Sequence, residues 1–131
     1  MILISRGEPR HPHTLYLTPK TRVALGVFGN DKIMVLSDTV NYLLSLQRLH
    51  KQFSLDETHY TIIGEQRKAK KSKTTLFLTE ENHHYLIRLT DDSFYKPIHV
   101  FDTVIGEALE LAKTHSLGLV VKKDEMLSST H

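Results

Sequence analysis

The feature that most constrains the fold of this chain is an internal duplication. The segment TLYLT at residues 14–18 recurs as TLFLT at 75–79, and DTV at 38–40 recurs at 102–104. The apolar segments between these two anchors follow the same order in both copies. Such self-similarity indicates one structural unit used twice. Units of about sixty residues are marginal alone, so we expect the two copies to share one core.

Each copy is predicted to contain four short strands followed by one helix. The segments that predict strands are 1–5, 14–18, 22–28 and 32–36 in copy one, and 60–64, 75–79, 84–89 and 98–101 in copy two. Helices are predicted to begin at Ser37 or Asp38 and at Asp102, because these side chains can accept hydrogen bonds from free amides of a first turn. Residues 119–121 predict one more strand, and 60–64 could instead close copy one.

The predicted fold class is therefore α+β, a duplicated ββββα unit with curved antiparallel sheets and one helix per unit. The 131 residues fit a single domain made of two repeats, at about 1–58 and 59–123. The last residues, 124–131, have little to bury and are predicted to be a flexible tail.

Composition excludes several classes of protein. The chain has no cysteine, which rules out a disulfide scaffold, a thiolate zinc site and a cysteine nucleophile. No apolar run reaches the roughly 18 residues of a membrane-spanning helix, and residues 1–5 are too short for the core of a signal peptide. We expect an intracellular, cytoplasmic protein that does not contact the membrane.

Charge is distributed unevenly along the chain. Residues 59–73 carry five Lys/Arg and one acid, whereas residues 74–131 carry five Lys/Arg and nine acids. Five cations within seven residues can neutralise phosphates and gain free energy from counterion release; the alternative is a solvated linker that keeps the chain soluble. The candidate phosphate contacts are Arg67, Lys68, Lys70, Lys71 and Lys73 in this basic loop, with Lys20 and Arg22 in copy one.

Two aromatic residues occupy equivalent positions of the duplicated strands. Tyr16 and Phe77 each alternate with flanking leucines, so they lie on the opposite strand face from those leucines. Nucleic-acid bases could stack on them there. The alternative is that both side chains belong to the core or lie between the copies.

Neither a metal site nor a catalytic site is predicted. His11 and His13 are close in sequence and His83 and His84 are adjacent, but neighbouring strand residues point to opposite faces and no third ligand is evident. The serines lie in no nucleophile-elbow context, and the six glycines form no phosphate-binding loop. We expect no cofactor and no enzymatic activity.

The duplicated pattern of four strands and a helix resembles the tandem repeats of Pur-alpha and Whirly-type proteins. The similar segments are 75–79, 84–89, 98–101 and the helix after Asp102, with their counterparts in copy one, so the resemblance covers nearly the whole chain at the level of element order. It implies a single-stranded nucleic-acid binder that uses the sheet face opposite the helices. The acidic second copy departs from that pattern.

Two functional hypotheses follow. The first is a nucleic-acid-binding protein, for single-stranded DNA or RNA, which contacts its ligand through the basic loop and a sheet face. The second is a protein-interaction module or small inhibitor, which engages a partner through a strand edge or its acidic second repeat. The same charge asymmetry could also support a homodimer.

Overall fold

The computed structural model describes residues 9–50, 53–91, 93 and 95–127, with side chains as far as residue 114. The elements are β1 (Arg10–Leu17), α1 (Pro19–Asp31), α2 (Leu36–His50), α3 (Glu57–Gln66), β2 (Ser72–Thr79), α4 (Glu80–Asp91) and α5 (Pro97–Leu127). The fold class is α+β, as predicted. Each repeat is a strand followed by two helices, and α3 connects the two repeats.

The predicted ββββα unit is wrong, because the described residues contain only two strands. The strands predicted at 14–18 and 75–79 are present as β1 and β2. Other predicted strands are helical: 22–28 lies in α1, 60–64 in α3, 84–89 in α4, and 98–101 and 119–121 in α5. Residues 32–36 form the α1–α2 turn and the first residue of α2. The predicted strand 1–5 lies outside the described residues.

Local capping explains why these segments form helices. Thr18 is the N-cap of α1 and accepts a hydrogen bond from the Thr21 amide, while Pro19 occupies a first-turn position where its missing N–H costs nothing. Thr79 does the same for α4, since its hydroxyl accepts from the Asn82 amide at 3.3 Å. Pro19 therefore begins a helix and does not merely end a strand.

The two strands pair with each other into one antiparallel ribbon. Thr14 pairs with Thr75 at its centre, Tyr16 with Lys73 near one end, and Pro12 with Phe77 near the other. Thr14 and Thr75 are equivalent residues of the two repeats. The register is therefore symmetric about a pseudo-two-fold axis through this pair. The duplication seen in the sequence is a symmetry of the ribbon.

The second helix of each repeat is hydrogen-bonded to the other repeat, α2 to the strand β2 and α5 to Thr18, which directly follows β1. Asn41 of α2 donates to the Phe77 carbonyl oxygen and accepts from the Thr79 amide, at 3.0 and 2.9 Å. Asp102 of α5 accepts from both the amide and the hydroxyl of Thr18, at 2.8 and 2.9 Å. These bonds satisfy backbone groups that a two-stranded ribbon leaves unpaired at its outer edges.

One apolar core joins the repeats beneath the ribbon. It receives alternate leucines from both strands and a stripe from each second helix; its fully buried members include Leu15, Leu17, Leu78, Val40, Leu43, Leu44, Val100, Val104, Ile105 and Ala108. Because both strands and both second helices contribute, neither repeat has a complete core of its own. This agrees with the expectation that the copies share a core.

The end of α1 is closely packed and strained. A Cβ atom on Gly29 would lie 2.5 Å from the Thr39 hydroxyl of α2, so only glycine fits there. The Met34 amide then bonds back to the Gly29 carbonyl at 2.8 Å, which ends the helix. Ile33 takes the left-handed conformation that this ending requires, with φ of 56°. That conformation is costly for a β-branched residue.

Candidate nucleic-acid interface

The ribbon has one face covered by helices and one face open. Side chains alternate along each strand, so the leucines at 15, 17, 76 and 78 point into the core and the intervening residues point away. The open face carries three central residues from each strand: Pro12, Thr14 and Tyr16 from β1, and Lys73, Thr75 and Phe77 from β2. The predicted opposition of Tyr16 and Phe77 to their flanking leucines is confirmed.

The two ends of the open face differ chemically. Tyr16 and Lys73 are cross-strand partners, which gives one end a phenol and an ammonium group. Pro12 and Phe77 are partners at the other end, which is apolar; Phe77 is 53% exposed, and Tyr16 is partly buried against the core. At the centre the hydroxyls of Thr14 and Thr75 lie 3.4 Å apart. The face thus combines a symmetric backbone with asymmetric side chains.

The cations of the basic loop have separate roles. Lys73 lies on the open face, as described above. The Lys71 ammonium donates to the backbone carbonyls of Gln66, Arg67 and Ala69, so it closes the C-terminal end of α3. Arg67, Lys68 and Lys70 are exposed in the turn between α3 and β2. This turn leads directly into the ribbon.

The structure adds Lys96 and His99 to this basic region. Burial lowers the pKa of His99, and the positive charges of Lys71, Arg67 and Lys96 lower it further. Among the described residues, the His99 Nδ1 atom is the buried side-chain polar atom that has no hydrogen-bond partner. Lys96 and His99 lie on either side of Pro97, the first residue of α5, where helix amides also favour negative charge.

The copy-one cations do not lie where the sequence predicted. Lys20 and Arg22 were expected on or beside strands of a sheet, but both are exposed residues of the first turns of α1. Arg10, which was not predicted, begins β1 and is bound to Asp38 at 2.8 Å. The error has the same cause as the error in fold, namely the reading of 22–28 as a strand.

Four histidines lie together at the end of the ribbon where β1 begins and β2 ends. The Nδ1 atoms of His13 and His83 lie 2.9 Å apart, and the rings of His11 and His84 also contact His83. Burial lowers the pKa of His13 and of His83, and the neighbouring histidines lower both further. No group of three or more His, Asp or Glu side chains in the described part of the chain has the arrangement of a metal site.

Alternation alone could have identified Pro12, Thr14 and Thr75 as further open-face residues. Alternation places each of them opposite the leucines of its own strand, but only the pairing of the two duplicated strands joins them into one face. Once Thr14 is placed opposite Thr75, the six residues of the open face follow from strand geometry.

Neither a protein-family model, nor a curated protein, nor a solved structure matches this chain. The ββββα order that supported the resemblance to Pur-alpha and Whirly-type repeats is not found in the described residues. Among the described residues, no helix is both long enough and apolar enough to cross a bilayer.

Proposed function

We propose that this protein binds double-stranded DNA by inserting the ribbon into the major groove, with the open face toward the base edges. The observation that carries the proposal is the two-stranded ribbon itself, which presents six outward side chains about a pseudo-two-fold axis. A two-stranded ribbon is one of the elements that the major groove, about 12 Å wide, can admit. Helices behind the ribbon and hydrogen bonds along both edges hold its shape.

The spacing of the aromatic residues favours a duplex over a single strand. Tyr16 and Phe77 lie at opposite ends of the open face, four residue steps apart, which corresponds to about 13 Å. Stacked neighbouring bases are far closer together than this. The same length covers about four base pairs of duplex at 3.4 Å per pair. The proposed ligand is therefore still a nucleic acid, as expected from the sequence, but duplex DNA instead of a single strand.

The chemistry of the open face supports an asymmetric target site. Lys73 can donate to the guanine O6 and N7 atoms, and the Tyr16 hydroxyl can donate or accept beside it. Pro12 and Phe77 offer no donor, and they suit the apolar methyl group of thymine. We therefore expect one half-site to contain an essential guanine and the other to contain thymine. The threonine pair contacts the centre of the site.

Phosphate contacts are assigned to the exposed cations around the ribbon. Arg67, Lys68 and Lys70 precede β2, and Lys96 precedes α5. Lys20 and Arg22 remain further candidates on α1. Each phosphate contact in duplex binding changes the slope of log K against log salt by about 0.9. Lys71 is left out of this set because it closes α3.

The test begins with selection of binding sites from a randomised duplex library. Fluorescence anisotropy then compares the selected duplex, each of its single strands and an unrelated duplex. We expect the selected duplex to bind at least about 1,000-fold more tightly than the unrelated duplex, the lower end of the usual ratio of specific to non-specific binding, and more tightly than either single strand. Equal or tighter binding to single strands would overturn the choice of duplex. No retention of any nucleic acid at 50 mM salt would overturn the proposal itself.

Two variants separate base contacts from phosphate contacts. Lys73→Ala is expected to weaken binding by about 5- to 150-fold and to remove the base preference at one end of the site, since a good base contact is worth about 1–3 kcal/mol. The triple change of Arg67, Lys68 and Lys70 to Ala should weaken all duplexes alike and reduce the salt slope by about 2–3. Lys113→Ala is the control, because Lys113 lies far along α5 beside Glu110.

A further inference from the structure

Helix α1 carries a stripe of exposed residues in which two valines lie between two opposite charges. Lys20, Val23, Val27 and Asp31 are all exposed, and their spacings of three, four and four residues place them on one helix face. Val23 is 66% exposed and Val27 is 57% exposed. We call these four residues the α1 stripe. It has an apolar centre, a cation at its N-terminal end and an anion at its C-terminal end.

The other repeat shows that the fold does not require this stripe. α1 and α4 both follow a threonine cap at the end of a duplicated strand, so Val23 and Val27 correspond to His84 and Arg88. These two residues of α4 are exposed and polar. The same position in the same architecture is thus solvated in copy two and apolar in copy one. The difference points to an interaction made by copy one alone.

The turn after α1 extends the apolar surface at one end of the helix. Ile33 is 94% exposed and also adopts a left-handed conformation that glycine would adopt without strain. Val35, two residues later, is exposed as well. An isoleucine that is both strained and solvated gives nothing to the isolated fold, which is consistent with a contact outside it.

We propose that the α1 stripe binds the α1 stripe of a second copy of this chain, with the two helices antiparallel. In that arrangement, centred between Val23 and Val27, Lys20 of each copy lies opposite Asp31 of the other. The charges at both ends are then complementary and the valines pack together at the centre. A self-complementary face on a two-fold axis gives a closed dimer. Because the stripe of each copy is covered by the stripe of the other, growth stops at two copies.

The small size of the stripe determines how tightly the dimer holds. The α1 stripe with Ile33 and Val35 amounts to six residues, against about 20–30 residues per partner in a standard interface. The free protein is therefore a weak dimer, formed at high micromolar concentration. This inference does not depend on the proposed DNA binding.

Sedimentation equilibrium of the full chain without nucleic acid, from about 10 μM to 1 mM, measures the association. We expect the mass to rise from 15.1 kDa toward twice that value and no further. The double variant V23H/V27R, which copies the residues of α4, should stay monomeric across the range. Ile62→Lys, which changes an exposed apolar residue of α3, is the control and should dimerise like the parent.

Charge reversal tests the antiparallel arrangement. Lys20→Glu and Asp31→Lys should each weaken the dimer at least several-fold, because each places like charges together. The double variant K20E/D31K should restore association, since it exchanges the two charges. A constant mass of 15.1 kDa, growth beyond the dimer, unchanged association of V23H/V27R, or failure of the double reversal to restore the dimer would overturn the proposal.

Discussion

Asn41 is the residue whose replacement tests the ribbon architecture most directly. Its side chain lies fully buried between α2 and β2, where it bonds to the Phe77 carbonyl, the Thr79 amide and the Asn82 side chain. The equivalent residue in copy two is Ile105. The substitution Asn41→Ile therefore places the apolar residue of one repeat into the other. Hydrophobicity alone would predict no loss of stability.

The structure predicts a large loss. The Thr79 amide would be buried without its partner, which costs about 1–3 kcal/mol, and the bonds to Phe77 and Asn82 are worth about 1 kcal/mol each. The buried isoleucine side chain returns about 1–2 kcal/mol through its additional apolar area. We expect the free energy of unfolding to fall by about 3 kcal/mol. For a chain of this size that corresponds to a decrease in Tm of about 10 °C.

Urea unfolding followed by circular dichroism measures this change. Leu49→Ile is the control, since Leu49 is an exposed residue of the same helix and reports only the lower helix propensity of isoleucine. Amide hydrogen exchange provides a second measurement, in which the Thr79 amide should be protected in the parent and exchange rapidly in the variant. A loss below about 1 kcal/mol relative to the control, with Thr79 still protected, would refute the assignment of Asn41 as the group that closes the edge of β2.

Three further perturbations test local features, each by its effect on unfolding. Gly29→Ala should destabilise the protein by more than about 1 kcal/mol, because the added Cβ would overlap the Thr39 hydroxyl. Gly26→Ala should stabilise the helix by about 0.5–1 kcal/mol, because a Cβ there would meet no atom within 4 Å. Comparable urea midpoints for the two variants would contradict this. Ile33→Gly should stabilise by about 0.5–1 kcal/mol, since relief of the left-handed strain exceeds the added unfolded-state entropy, and a lower Tm would count against strain. The pKa values of His13 and His83 lie below the ordinary 6.5, so the unfolded chain binds protons that the folded chain does not, and stability should fall as pH drops below about 6.5. His83→Gln should make urea midpoints between pH 7 and 5 less dependent on pH, and an unchanged pH dependence would contradict the role of this pair.

The sequence by itself determined the features that depend on near neighbours. Alternation places Leu15 and Leu17 on one face of β1 and Tyr16 on the other, whatever the strand pairs with, and that prediction is confirmed. The 3.6-residue apolar stripes after Asp38 and Asp102 predict helices, and both are present within α2 and α5. The predicted caps are wrong, because α2 begins at Leu36 and α5 at Pro97, so both aspartates lie inside their helices. The duplication itself is also a property of the sequence alone. These features need no knowledge of distant contacts.

Tertiary structure decided everything that joins residues far apart in the chain. The pairing of Thr14 with Thr75 connects residues 61 positions apart, and no local pattern specifies it. The apolar run at 22–28 fits a buried strand or two turns of an amphipathic helix equally well, because such short runs are ambiguous by period. This segment forms a helix because Thr18 caps its first turn and because α1 packs against α2. The open face exists because the helices of both repeats lie on the same side of one shared ribbon, and that arrangement belongs to the folded chain as a whole.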